Sequence, residues 1–285
     1  MSPRNVFITG CSTGIGRVCA LDLDRKGFRV FAGVRKSEDA RSLKEDASGG
    51  LEPVLVDVTD QEEVSRAAEY VGKKVGEDGL HGLVNNAGVG VSGPMECVPL
   101  NQFQRVMEIN VTGHVMVTQA FLPLLRKARG RIVFMGSESG RFTLPMVGAY
   151  SASKHALEAV ANAFRAELIS SGVRVSMVEP ASIRTPIWDK INEENEKMVE
   201  CLPENLRQIY GRELKASSRM TANLARVGIG PEKVSRAVLH ALTSNHPKAR
   251  YVVGLEARLL IAGHAILPLK ATAWMAHRAL KLLGR

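Results

Sequence analysis

A chain of 285 residues with 45% hydrophobic and 24% charged residues can bury a sizeable core, which excludes a disordered or fibrous protein. The net charge of +9 comes from Lys and Arg scattered along the chain. With aromatics at 5% and no clustered basic run, the pattern of a nucleic-acid reader is missing, and no nucleic-acid partner is expected.

In chain order, short apolar runs alternate with longer amphipathic stretches. Strands are predicted at 5–9, 28–33, 54–58, 82–85, 131–136 and 173–179. Helices are predicted between them at 14–26, 38–47, 61–75, about 102–126 and 150–170. After Pro180 the regularity fails: 185–227 reads as one or two polar helices over the sheet edge. A helix at 231–243 and a strand at 250–253 follow, then an apolar and basic tail from Leu255, interrupted at Pro268. Alternation of this kind predicts an α/β fold: a doubly wound, Rossmann-type parallel sheet of about seven strands with helices on both faces. No Ser/Gly/Pro-rich linker divides the chain, so 1–285 reads as one domain.

The first strand runs into Thr9-Gly10-Cys11-Ser12-Thr13-Gly14-Ile15-Gly16 and then a helix. Glycines there let the backbone turn and approach a pyrophosphate, which the free N–H groups of a helix N-terminus attract. The second strand ends Gly33-Val34-Arg35-Lys36, with no carboxylate before Glu38. A basic residue at this place suits the 2′-phosphate of NADP(H), so NADP(H) is favoured over NAD(H). Asn85-Asn86-Ala87-Gly88 ends the fourth strand with small residues against which a flat ring can pack.

Tyr150 and Lys154 lie four apart on one helix face. A free tyrosine is a poor base at neutral pH, and the ammonium is expected to lower its pKa so that it can exchange a proton as hydride moves. Ser137 ends the fifth strand, where a hydroxyl can hold a substrate oxygen as charge develops.

The set T-G-C-S-T-G-I-G, N-N-A-G, Asn110, Ser137 and Y-S-A-S-K, in this order and spacing, resembles the short-chain dehydrogenase/reductase family in its shorter branch. The likeness covers about 5–187 and is greatest to retinol and hydroxysteroid dehydrogenase-like members, through 100–126 and Ser176-Met-Val-Glu-Pro180. It implies Tyr150 as acid–base, Lys154 tuning it and binding the nicotinamide ribose, Ser137 orienting the substrate oxygen, and Asn110 holding a water that links Lys154 to solvent. Cofactor contacts are implied at Gly10, Ser12, Thr13, Gly14, Ile15 and Gly16. Others are implied at Arg35 (2′-phosphate, with Ser12), Asp57 (adenine amine), Val58, Asn86, Ala87, Gly88, Pro180, Ile183 and Thr185 (carboxamide).

Two residues depart from the family pattern. Ala181 stands where Pro-Gly is usual, and Glu138 places a carboxylate directly after Ser137. The resemblance makes 186–228 the substrate lid, with Ile187, Trp188, Ile191, Met198, Leu202, Leu206 and Tyr210 on an apolar face. Such a face suits a hydrophobic substrate such as a steroid, retinoid or long-chain alcohol. The helical tail 255–285, with Trp274, Arg258, Lys270, Arg278, Lys281 and Arg285, is expected to pack on the lid or a partner subunit rather than lie on an anionic membrane. Relatives pair through the helices carrying Asn110 and Tyr150, which implies a homodimer or homotetramer.

Cys11, Cys19, Cys97 and Cys201 show no C-x-x-C and no zinc spacing. Free thiols, no metal and a reducing compartment are expected. With a strand beginning by residue 5, no signal peptide is expected and a cytoplasmic location follows. The alternative to an NADP(H)-dependent oxidoreductase is a non-catalytic NADP(H)-binding redox sensor.

Overall fold

Seven runs rich in Val, Ile and Phe become the strands of one parallel sheet, ordered β3-β2-β1-β4-β5-β6-β7. The computed structural model describes residues 4–283, with the side chains of residues 190, 195, 201, 224, 279 and 281–283 outside the description. The thiol of Cys201 and the charges of Lys281 and Arg285 therefore lie outside the described residues. The strands are β1 Asn5–Ile8, β2 Arg29–Val34, β3 Leu51–Leu55, β4 Gly82–Asn85, β5 Arg131–Met135, β6 Arg174–Pro180 and β7 Arg250–Val253. Each is joined to the next by helix: α1 Gly14–Arg25, α2 Ser37–Glu45, α3 Gln61–Val75, α4 Leu100–Met107, α5 Gly113–Ala128, α6 Gly148–Glu167. After β6 come α7 Ile187–Cys201, α8 Glu204–Val227 and α9 Glu232–Thr243; α10 Leu255–Ile266 and α11 Leu269–Leu283 follow β7.

The central strands are mostly apolar because both faces are covered. Phe7, Phe31, Ile132 and Phe134 point to one face, where Val71 of α3, Phe121 of α5 and Leu157 of α6 meet them. Val6, Ile8, Val30 and Val133 point to the other, under Leu23 of α1, Leu43 of α2 and Val238 of α9. Strand order reverses between β1 and β4, which opens the crevice at their carboxyl ends.

The structure departs from the expected elements most clearly in two places. β3 begins at Leu51, three residues before the expected start, and contains Pro53. It pairs with β2 alone, so the missing N–H of proline is tolerated on this sheet edge. The single helix expected at 102–126 is instead α4 and α5 joined by a π-helical turn at Glu108–Thr112. Periodicity cannot show such a turn, since one inserted residue barely disturbs the apolar stripe. The tail forms two helices that part at Pro268, the interruption expected there, as the lost N–H requires. Leu280 of α11 packs with Ala216 of α8 and Met146. Among the described residues no helix is long and apolar enough to cross a membrane.

Candidate active site

The turn between β1 and α1 sits at the reversal of strand order. Gly10 and Gly14 have φ of +70° and +60°, a region that L side chains rarely adopt. A Cβ on Gly10 would meet Ala87 Cα at 2.8 Å, and one on Gly16 would collide with the Gly10 carbonyl and the Asn86 amide. Asn86 Nδ2 donates to the carbonyls of Thr9 (3.0 Å) and Gly10 (3.1 Å), fastening the end of β4 to the turn. Gly14 faces Thr185, which lies 3.3 Å from its Cβ position. A cradle that tolerates no Cβ, ahead of an α1 whose N-cap Thr13 makes no side-chain hydrogen bond, fits a dinucleotide pyrophosphate.

At the end of β2, Arg35 is more than half exposed and stands 3.9 Å from Asp57. Asp57 also accepts from the Thr59 N–H (3.0 Å) and hydroxyl (2.8 Å), which fixes its carboxylate beside the guanidinium. Val58 packs close over Gly113. The two side chains expected to meet the adenosine half therefore share one corner of the crevice.

Asn110 lies in the π-helical turn. Its Oδ1 accepts from Val89 N (2.9 Å), while Nδ2 donates to Val89 O (2.9 Å) and Ser153 Oγ (3.0 Å). Ser153 in turn donates to the Tyr150 carbonyl at 2.7 Å. A Cβ on Gly88 would lie 3.3 Å from Asn110 Oδ1 and 3.9 Å from Lys154 Nζ. Lys154 is buried, donates to the Met135 carbonyl at 2.8 Å and lies 5.6 Å from the Tyr150 ring centre. Ser137 caps the turn after β5, its hydroxyl accepting from Ser139 N at 3.1 Å. Asn110, Ser137 and the Tyr150–Lys154 pair of α6 thus meet at one end of the sheet.

A family model for short chain dehydrogenases matches residues 4–196. The chain belongs to this family. Mouse retinol dehydrogenase 5 is 41% identical over 270 residues, covering 92% of this chain and 84% of the relative. The bovine short-chain dehydrogenase/reductase family 9C member 7 is 39% identical over 287 residues, covering 98% and 91%. A short-chain dehydrogenase from Burkholderia cenocepacia J2315, solved in complex with NADP, superposes with a TM-score of 0.71 at 27% identity, covering 96% and 98%. One from Streptomyces avermitilis reaches a TM-score of 0.78 at 24% identity and supports the fold alone. The protein is accordingly a nucleotide-binding oxidoreductase of the retinol dehydrogenase-like kind, acting on small-molecule alcohols or their carbonyl forms.

The electrostatics of the dehydrogenase site correct one expectation. Burial pushes the Tyr150 phenol up to about 12; Ser137 pulls it partly back and the charge of Glu138 pushes it further up. Burial lowers Lys154 to about 8. Desolvation is the largest influence on the phenol, while Lys154 Nζ donates to the Met135 carbonyl and lies over the Tyr150 ring. Tyr150 is therefore a phenol at neutral pH. Glu138 has a buried Oε2 without a partner, and burial followed by the charge of Glu256 on α10 raises it to about 7.

Helix α7 lies over the segment that follows Gly88. Ile191 and Met198 of α7 crowd Gly90 and Gly93, and Leu202 is buried behind them. Trp188 donates to the Ile183 carbonyl at 2.6 Å, and Tyr210 of α8 to Glu96 at 2.7 Å. Ile187 and Leu206 are only partly buried. The Cβ of Ala181 is accommodated opposite Gly254: a Cβ on Gly254 would lie 2.8 Å from it. Pro180, ending β6, pairs with Val253 just before that glycine, and Ile183 bridges to Ile229.

Three site residues escaped the sequence reading. Thr9 Oγ1 receives both Asn86 N (2.9 Å) and Ala87 N (3.0 Å). Ser153 links Asn110 to the backbone of Tyr150, and only its place inside Y-S-A-S-K hinted at that. Met146 adopts φ +71° and accepts from Gly93 N, with no sequence signal for a left-handed methionine.

Proposed function

We propose that the protein is an NADP(H)-dependent alcohol dehydrogenase or carbonyl reductase for a hydrophobic substrate of steroid, retinoid or long-chain alcohol type. The observation that carries this reading is the meeting of Tyr150, Ser137 and Lys154 at the crevice. The nicotinamide, when bound, gives or takes the hydride. Tyr150 donates its proton to the oxygen of a carbonyl substrate and recovers one from the alcohol in the reverse direction. Ser137 Oγ accepts from Ser139 N and lies within hydrogen-bond reach of Tyr150, so its hydroxyl can turn to the same oxygen when the substrate is bound. Lys154, titrating near 8, resupplies the proton. The amide of Asn110 has both donors committed, so a water linking Lys154 to solvent would rest on the backbone of this turn.

NADP(H) is favoured over NAD(H) because Arg35, more than half exposed and 3.9 Å from Asp57, offers a guanidinium fork to a 2′-phosphate. Ser12, Thr13, Ile15, Val58, Asn86, Pro180, Ile183 and Thr185 complete the cofactor wall in this reading. The lid is 186–228, and the apolar side chains of α7 support a hydrophobic pocket, as does the likeness to retinol dehydrogenases. Seating of α11 on α8 favours a packed tail over a membrane-bound one. Assembly as a homodimer or homotetramer through α5 and α6 and a cytoplasmic location belong to the same proposal. The free thiols of Cys11, Cys19 and Cys97 support the location.

The test is oxidation of NADPH and of NADH by the purified protein against hydrophobic ketones and aldehydes. Turnover with NADPH in preference to NADH is expected. Binding of NADPH without turnover on any substrate would favour a redox sensor, and binding of neither nucleotide would overturn the proposal.

A further inference from the structure

One face of the helical run through the π-helical turn and α5 carries a polar side chain at each turn: Asn110, His114 and Thr118. Each reaches a different residue of the segment that leaves β4. Thr118 Oγ1 accepts from Asn85 Nδ2 at 2.8 Å, His114 Nε2 meets Ala87 O at 2.6 Å, and Asn110 holds both the N–H and C=O of Val89 at 2.9 Å. The two spacings match physically. Four helical residues rise about 6 Å and two extended residues about 6.6 Å, so the rungs stay in register.

His114 is the middle rung and is fully buried, its ring 6.2 Å from that of Phe134. Ala87 O is an acceptor, so the imidazole carries its proton on Nε2, and Nδ1 is buried without a partner. Burial, then the charge of Lys154, lowers the histidine to about 3, which leaves it neutral at any working pH and excludes it as a proton carrier. Its contact is with the peptide that matters most to the turn. Ala87 N is held by Thr9, Ala87 O by His114, and Ala87 Cα lies 2.8 Å from where Gly10 would carry a Cβ. Thr9 and His114 thus clamp from both sides a residue against which the glycine turn packs.

We propose that His114 is a positioning residue for the cofactor, fixing through the Ala87 carbonyl the wall against which the nucleotide is seated. The inference rests on the cofactor reading above. A hydrophobic side chain would fill the same space against Phe134, so packing alone does not call for an imidazole. The unpartnered Nδ1 shows that the ring is kept at a cost to solvation, with the Nε2 contact as the compensation.

The test compares wild type with His114→Phe, which keeps ring and volume, and His114→Gln, whose amide nitrogen can take the place of Nε2. Fluorescence titration with NADPH and steady-state kinetics are the readouts. His114→Phe should raise Kd and KM for NADPH about 2–10-fold, the worth of one hydrogen bond, with kcat kept within about twofold. His114→Gln should recover most of the loss. Thr118→Val, the same shape one rung further, should raise KM in the same sense and keeps the proposal testable if His114→Phe does not fold. A lower melting temperature with unchanged Kd and KM would make His114 a core residue only and overturn the inference. Equal losses in His114→Gln and His114→Phe, or a fall in kcat alone, would overturn it too. A wild type that binds no nicotinamide nucleotide would overturn both this inference and the function, whereas tight binding by wild type and His114→Phe alike would overturn only this one.

Discussion

Glu138 and Tyr150 show how burial decides the chemistry of single side chains. Glu138 titrates near 7 because desolvation, and next Glu256, disfavour its charge. Once ionised, it raises the pKa of Tyr150. Alcohol oxidation needs Tyr150 deprotonated, so the charge of Glu138 opposes it. Glu138→Gln should therefore move the rise of kcat/KM for oxidation to lower pH and remove an inflection near 7 in the wild-type profile; an unshifted profile would show that Glu138 does not sense the phenol. Stability follows with a definite sign. The folded pKa lies above the ordinary 4.5, so the protonated form is favoured by folding. That contribution is full below 4.5 and disappears as pH rises through about 7. In thermal melts at pH 8, Glu138→Gln should thus be more stable than wild type, and the advantage should vanish toward pH 4. The placing of Tyr150, Lys154 and Ser137 near one another was legible from residue types and spacing. The direction of the tyrosine shift was not, since sequence does not show which partner Lys154 bonds.

At the scale of elements, the junction of β6, β7 and α10 carries a paired change. Ala181 has a side chain at a tight turn, and Gly254, at φ +119° and ψ +141°, leaves room for it. Gly254→Ala should cost about 1–3 kcal/mol, as expected for a side chain in a region reserved for glycine. Ala181→Gly added to it should restore only the part due to the clash, because the φ penalty stays; full restoration in denaturant melts would contradict the backbone account. Most element positions were readable from apolar periodicity, including α3, β4 and β7 to the residue. β3 was misplaced because Pro53 argues against a strand, an argument that holds for central strands and fails at an edge. The π-helical turn was invisible because the stripe of α4 continues into α5 without a break. Yet that turn is what aims Asn110 at Val89, so the least legible element is one that builds the site.

On the scale of the whole molecule, the reversal of strand order between β1 and β4 makes one crevice serve both halves of the cofactor. The glycine turn, the end of β4 and the lid meet there, so nucleotide binding should stabilise the fold as a unit. NADPH at about one hundred times its Kd should add about 2.7 kcal/mol to unfolding stability. Arg35→Ser should shrink that gain for NADPH and leave the gain for NADH, read by thermal melts with each nucleotide; equal shrinkage for both would place the 2′-phosphate elsewhere. The crevice was legible in the sequence as an alternation of strands and helices around a glycine turn. Helices α7 and α8 were legible only as a polar, helical stretch, because the packing of α7 on Gly90 and Gly93 depends on contacts far apart in the chain.

The central claim is that Tyr150 passes the proton while hydride moves, and the most direct measurement is single-turnover oxidation of bound NADPH by wild type and Tyr150→Phe with one hydrophobic ketone. The account predicts that the variant binds NADPH as wild type does and that its chemical step slows by about 10²–10⁴-fold. An undiminished rate with normal NADPH binding would contradict it and remove Tyr150 from the chemistry.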